Sequence, residues 1–248
     1  MATATVKEKQ SGDSPKRRAT KKQAAEAARM AAIVERLKDI YPDAVCALEW
    51  GGQNGGERET LLEESWKLLV MGRLSAQCTD ARVNIVCREL FARFPTAAAM
   101  ADADLAELEA IVRPCGLYRT KAQSIKEASR ILVEEFGGVV PADMDALLSL
   151  PGVGRKIANL LLGDLYHLPG VVTDTHCIRI CGRLGFYRED EKDPLTVERI
   201  LTPLIEPAEQ SDFCHRIVQF GRDVCTARSP ACEKCPLSDL CRHAKSKK

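Results

Sequence analysis

The chain has 248 residues, 45% hydrophobic and 29% charged, with 36 basic and 35 acidic residues for a net charge of +1. That length and apolar fraction suffice for one large core or two modest ones, which excludes a compositionally disordered chain. No run approaches the roughly 20 apolar residues of a membrane span, no apolar segment follows the first basic residues to make a signal peptide, and the near-neutral charge gives no bulk electrostatic case for a nucleic-acid partner, so an intracellular globular enzyme is expected.

The charge is unevenly spread. Met1 to Arg29 carries eight Lys or Arg against three acids, leaving 28 bases and 32 acids for the rest. Residues 1–21 have almost no large apolar groups and read as a flexible basic tail. From about Lys22 the spacing turns helical, with Ile33, Leu37 and Ile40 preceding the break at Tyr41-Pro42. Gly51-Gly52-Gln53-Asn54-Gly55-Gly56 reads as a flexible loop, within an insertion that runs from Gly51 to Leu62. Helical stripes follow at Trp66, Leu69, Val70 and Leu74, at Val83, Val86, Leu90 and Phe94, at Leu105, Leu108, Ile111 and Val112, and at Ile125, Ala128, Ile131 and Leu132. A short helix through Leu147 and Leu150, then helices over Arg155 to Leu165, Asp174 to Leu184, Val197 to Ile205 and through Ile217 to Phe220 complete the series. No alternating run appears, so the residues predict an all-α protein of about ten helices with short connections and no internal repeat.

One helix junction has unusual local chemistry. In Leu150-Pro151-Gly152-Val153-Gly154-Arg155-Lys156 the proline stops one helix, the two glycines permit positive φ and close approach of another molecule, and Leu150 and Val153 can anchor the turn. The next helix begins with free backbone N–H groups, a natural seat for a phosphate oxygen; an ordinary Pro-Gly turn is the alternative. Lys156 stands in the first turn of that helix, and Asp174 follows eighteen residues later in Val172-Thr173-Asp174-Thr175-His176, before another helix. A helix N-terminus disfavours a charged lysine, and partial burial would act in the same direction, favouring the neutral amine of a nucleophile. Taken singly, Lys156 also reads as a surface lysine and Asp174 as an N-cap. His176 is as consistent with a structural role as with a functional one.

Eleven cysteines are present. Cys46, Cys78, Cys87, Cys115, Cys177 and Cys181 are scattered in apolar, helix-like segments and read as small buried hydrophobes in a reducing compartment. Cys225, Cys232, Cys235 and Cys241 are different: they form Cys-x6-Cys-x2-Cys-x5-Cys within seventeen residues, with Pro230 and Pro236 turning the chain. Four thiolates so close in an intracellular protein point to a metal site, either zinc or an iron-sulfur cluster. Only Cys232 to Cys235 makes a short hook, where zinc sites usually have two. Arg228 within this loop, and Lys234 beside it, would present cations to a phosphate backbone. Cys214 lies outside the spacing and reads as core.

Together the hairpin ending in Lys156, the Val-Thr-Asp-Thr-His segment and the four C-terminal cysteines resemble, in this order, the endonuclease III family of helix-hairpin-helix DNA glycosylases. Leu74-Ser75-Ala76-Gln77-Cys78-Thr79-Asp80 and Gly116-Leu117-Tyr118 are similar to further family segments, and the likeness runs from about Ile33 to Cys241. It implies two helical domains with an active-site cleft between them: residues 48–168 as a six-helix domain with the hairpin, and residues 22–47 plus 169–248 as a domain ending in a [4Fe–4S] loop held by Cys225, Cys232, Cys235 and Cys241. The implied activity is that of a bifunctional DNA glycosylase and abasic-site lyase of base excision repair, acting on oxidised pyrimidines in duplex DNA. Lys156 would attack C1′ and form a Schiff base, and Asp174 would stabilise the charge developing on the sugar. Gln77 and Leu117 would enter the duplex beside an everted nucleotide, while Gly152, Val153, Gly154 and Arg155 would grip the backbone. A monomer is expected, cytoplasmic and nucleoid-associated if bacterial. An adenine-mismatch glycosylase is the nearest rival, but that family typically lacks a lysine at the position of Lys156 and carries a further C-terminal domain, whereas seven residues follow Cys241 here. A non-catalytic iron-sulfur DNA-binding module would need neither Lys156 nor Asp174.

Overall fold

A computed structural model describes residues 21–51 and 58–246. The tail reading, apart from Lys21, and residues 52–57 of the Gly-rich stretch lie outside the described residues. Within them the chain is helical, with thirteen α-helices and no strand, and no helix is long and apolar enough to cross a membrane. The helices are α1 (Lys21–Ile40), α2 (Arg58–Glu63), α3 (Ser65–Leu74), α4 (Asp80–Arg93), α5 (Ala97–Asp102), α6 (Leu105–Val112), α7 (Tyr118–Phe136), α8 (Met144–Ser149), α9 (Arg155–Tyr166), α10 (Thr175–Leu184), α11 (Pro194–Leu201), α12 (Gln210–Asp223) and α13 (Arg242–Ser246). Three of these, α2, α5 and α13, were not anticipated: at five or six residues each they are too short to show a hydrophobic period. Helix α2 lies after the expected Gly51 to Gly56 loop, at the end of the Gly51 to Leu62 insertion. The helix expected from Val197 to Ile205 ends at Leu201, where Pro203 leaves a 3-10 turn over Thr202–Leu204.

Side chains cap six of the helix starts. Thr79, Thr96, Asp104, Asp143, Asp174 and Asp193 each accept a backbone N–H of the first turn of the helix they precede. The expected stripes face inward: Ile33 and Leu37 are fully buried, as are Leu90, Ile125 and Leu132. On α1 the stripe runs through Met30 rather than Ile40, which is exposed at the helix end.

Two packing groups result. Helices α3 to α9 pack on one another, chiefly through α7 against α5 and α6 and through α9 against α3 and α8. Helices α1, α10, α12 and α13 form the other group. There Arg29 of α1 donates to the carbonyls of Leu184 and Leu240, at 2.8 and 3.0 Å, and Arg36 to that of Pro236 at 2.8 Å, tying the first helix to the last cysteine-bearing segment.

Helix α9 is common to both groups because it also packs on α12. Gly163 permits this approach, since a Cβ there would lie 2.6 Å from the Ser211 hydroxyl and 2.9 Å from its Cβ. One turn of contact is thereby made polar: Ser211 Oγ donates to Asp164 Oδ1 at 3.2 Å and His215 Nε2 meets the same oxygen at 2.7 Å. Replacing Gly163 with valine should overpack this seam and lower the unfolding free energy by about 1–3 kcal/mol in denaturant titration; an unchanged midpoint would contradict the close approach.

Candidate active site

The hairpin is built as its sequence directs. Helix α8 ends at Ser149, Leu150 and Val153 are buried, and the Val153 N–H donates to the Leu150 carbonyl at 3.1 Å. Gly152 adopts φ +81° and has no room for a side chain: a Cβ would lie 2.4 Å from Arg73 Nε, whose guanidinium is held under the turn by Ser124 at 2.8 Å. Gly154 departs from expectation. Its backbone is extended at φ −104°, so it needs no left-handed freedom, and open space where its Cβ would stand leaves the peptide accessible. As the N-cap of α9 it offers no side-chain acceptor, and the first N–H groups of that twelve-residue helix stay available to a ligand. The Arg155 guanidinium forks onto the Glu198 carboxylate of α11, with Nε to Oε2 at 2.9 Å. In the free protein it therefore pins the start of α9.

Lys156 projects from the first turn of α9 into a large open cleft. Its side chain is exposed. Asp174 lines the same cleft, with 17% of its side chain exposed. Its Oδ1 caps α10 by accepting the Cys177 N–H at 2.7 Å, and its Oδ2 lies 3.3 Å from His176 Nδ1. Burial opposes the charge on Asp174, but the His176 contact, the Cys177 N–H and the nearby charges of His176 and Lys156 outweigh it and hold the carboxyl below the ordinary value of 3.8. Asp174 is thus both a helix cap and a carboxylate facing the lysine. His176 also lines the cleft and was not singled out from sequence, because a histidine beside an N-cap carries no distinctive pattern.

Gln77 lines the cleft and is exposed in the turn between α3 and α4; Leu117 precedes α7 and is 59% exposed. Both adopt left-handed backbone, at φ 55° and 48°, which is uncommon for residues other than glycine. What holds these two turns is a residue the sequence reading passed over. Lys121, on α7, is fully buried and donates three hydrogen bonds, to the carbonyls of Leu74, Ala76 and Cys115 at 2.8, 2.7 and 2.8 Å. One ammonium thus ties the Gln77 turn to the Leu117 turn. Burial pushes its pKa down, opposed by Cys78 and Cys115. A faint signal existed: Lys121 stands four residues before Ile125 on the buried stripe of α7.

The four C-terminal cysteines line one apolar pocket with Ile180, Leu184, Phe220 and Leu237. Arg183 of α10 closes the loop over it, donating to the carbonyls of Thr226 and Ala227 at 2.7 Å each and lying 3.4 Å from Cys225 Sγ. A mononuclear tetrahedral zinc, with Zn–S near 2.3 Å, would bring its sulfurs within about 4 Å of one another. Four thiols around one apolar pocket fit an iron-sulfur cluster. Arg228 and Lys234 are both exposed on this segment. Of the remaining cysteines, Cys87, Cys115, Cys177, Cys181 and Cys214 are buried as expected, whereas Cys46 and Cys78 are only partly so, and Cys46 lines the cleft.

Comparison with known proteins decides what this arrangement belongs to. Residues 70–207 match the family model of the HhH-GPD superfamily base excision DNA repair protein, and residues 225–241, bounded by the first and last cysteine of the loop, match the iron-sulfur binding domain of endonuclease III. An endonuclease III from Synechocystis sp. is 41% identical over 227 residues, covering 91% of this chain and 97% of its own. The chain belongs to the endonuclease III family. Its fold superimposes on a non-covalent endonuclease III–DNA complex with a TM-score of 0.79 at 38% identity, covering 89% of this chain and 97% of that one. A trapped endonuclease III–DNA covalent intermediate matches equally, at TM-score 0.79 and 38% identity, covering 89% and 98%. As an endonuclease III relative, the protein is a DNA glycosylase and abasic-site lyase of base excision repair and carries a [4Fe–4S] cluster.

The site geometry yields two expectations. Lys121→Met leaves three carbonyls without their donor and should lower the unfolding free energy by at least about 2 kcal/mol; near-native stability would mean the clamp is dispensable. Because the Asp174 carboxyl is held below its unfolded value, its contribution to stability is complete above about pH 4 and is lost as pH falls through the lower folded value. Asp174→Asn should therefore flatten the acid limb of stability against pH, and an unchanged limb would contradict the assignment.

Proposed function

We propose that this protein removes oxidised pyrimidines from duplex DNA, with Lys156 as nucleophile and Asp174 as its electrostatic partner. The observation carrying this reading is the placement of an exposed lysine at a helix start beside a carboxylate that stays ionised well below neutral pH. An ionised carboxylate is poorly suited to donating a proton, but it stabilises positive charge building on a sugar as the base departs. The Lys156 amine, once deprotonated, bonds to C1′ as the C1′–N bond to the base breaks. Loss of the ring oxygen from C1′ then gives the Schiff base, from which removal of a C2′ proton expels the 3′ phosphate. DNA covering the cleft supplies the desolvation that Lys156 lacks in the free protein.

Eversion of the target nucleotide opens a gap in the duplex, and Gln77 and Leu117 are suited to fill it: both are exposed, on turns held rigid by Lys121. The exposed Gly152 and Gly154 on either side of the buried Val153, the start of α9 from Arg155, and the exposed Arg228 form the backbone-gripping surface. Cys225, Cys232, Cys235 and Cys241 would ligate the cluster. When bound, the cluster supplies a fixed shape to the loop; the reaction at C1′ needs no electron from it. Residues 48–168 and the combination of 22–47 with 169–248 form the two domains flanking the cleft. The protein acts as a monomer on nucleoid DNA.

Borohydride should trap the protein on duplex DNA containing an oxidised pyrimidine or an abasic site, and Lys156→Gln should lose trapping while keeping binding. Asp174→Asn should lose at least about a hundredfold in rate. Trapping by Lys156→Gln at the native level would remove Lys156 from the chemistry. Processing of abasic sites alone would sink the pyrimidine assignment while leaving the lyase intact.

A further inference from the structure

Outside the proposed catalytic residues and the cysteine loop, one cluster of potential ligands stands in the cleft. Cys46, in the segment between α1 and α2, Asp164 on α9 and His215 on α12 place a sulfur, a carboxylate oxygen and an imidazole nitrogen within 4.8 Å of one another. Cys46 and His215 line the cleft, and Asp164 lies behind them with 9% of its side chain exposed. Asp164 Oδ1 is occupied by His215 Nε2 at 2.7 Å and Ser211 Oγ at 3.2 Å, whereas the buried Oδ2 makes no hydrogen bond of ordinary geometry, and the one further donor beside the carboxylate is the weak Cys46 thiol. A buried carboxylate oxygen without a donor is costly, and is ordinarily found only where something else completes it.

We propose that Cys46, Asp164 and His215 form a binding site for one zinc-type divalent cation per chain. One thiolate, one imidazole and one carboxylate make a mixed donor set of borderline softness that suits zinc better than magnesium or calcium. The three atoms lie within 4.8 Å of one another, within a small side-chain adjustment of the roughly 3.3–3.8 Å edge of a tetrahedron with metal–ligand bonds of about 2.0–2.3 Å. The ion enters from the cleft, replaces the direct His215–Asp164 contact with bonds to both, and displaces the Cys46 thiol proton. A fourth position faces the cleft and takes water.

The ion would act as a clamp and not as part of the sugar chemistry. Lys156 and Asp164 are eight residues apart on α9, about 12 Å along the axis. The three ligands instead join the wall segment around Cys46 to the α9–α12 seam. Elsewhere that wall is held by Asn84, which donates to the Ala47 carbonyl at 3.0 Å and accepts from the Glu49 N–H at 3.1 Å.

The test uses iron-loaded protein equilibrated anaerobically with equimolar zinc chloride, desalted, and analysed for both metals. The expected result is one zinc per chain with iron unchanged, a sulfur and nitrogen or oxygen ligands at the zinc X-ray edge, and a melting temperature raised by zinc. Cys46→Ala and His215→Ala should each lose at least tenfold in bound zinc at unchanged iron. Should His215→Ala fail to fold, Cys46→Ala alone decides, because Cys46 is partly exposed in a connecting segment. Absence of zinc, zinc retained by Cys46→Ala, or zinc gained only as iron is lost would overturn the proposal, the last by placing the ion in the cysteine loop. None of these readouts depends on glycosylase activity.

Discussion

The contact of α9 with α12 organises the rest of the molecule. Helix α9 begins at the hairpin with Lys156 and ends against Ser211 and His215, in the packing group that also holds α10 and its cap Asp174. Because Gly163 lets the two helices approach, the lysine of one group and the carboxylate of the other open onto the same cleft. Arg155, forked onto Glu198, fixes the outer end of the same helix. The distance between Lys156 and Asp174 is therefore set by side-chain packing some two turns away.

A second organising device is the ammonium of Lys121. Left-handed backbone at Gln77 and Leu117 is unfavourable for both residues, and the carbonyls around it point away from regular helical partners. Three hydrogen bonds from one buried charge offset that cost and lock two turns that are far apart in sequence. A charged donor makes stronger bonds than a neutral one, which keeps both turns in shape. The C-terminal loop shows similar economy, with Arg183 capping two loop carbonyls while remaining beside the Cys225 sulfur.

Much of this was readable in the sequence where a local rule sufficed. The helical stripes, the buried Leu150 and Val153 of the hairpin, and the spacing from Cys225 to Cys241 follow from periodicity, turn chemistry and ligand spacing. Lys156 and Asp174 were individually ordinary and became candidates through their order with those motifs. What was not legible depends on tertiary placement. Lys121 is buried by partners 45 residues or more upstream at Leu74 and Ala76; Cys46 lies beside a carboxylate and an imidazole instead of in apolar core; and α2, α5 and α13 are too short to carry a period.

The account stands or falls on which atom of the protein becomes bonded to DNA. Proteolysis and mass spectrometry of the borohydride-reduced complex should place the sugar remnant on the peptide carrying Lys156, at its Nζ and at no other lysine. A remnant on Lys192, which also lines the cleft, or on the chain's amino terminus would contradict the assignment of the nucleophile and the role given to Asp174.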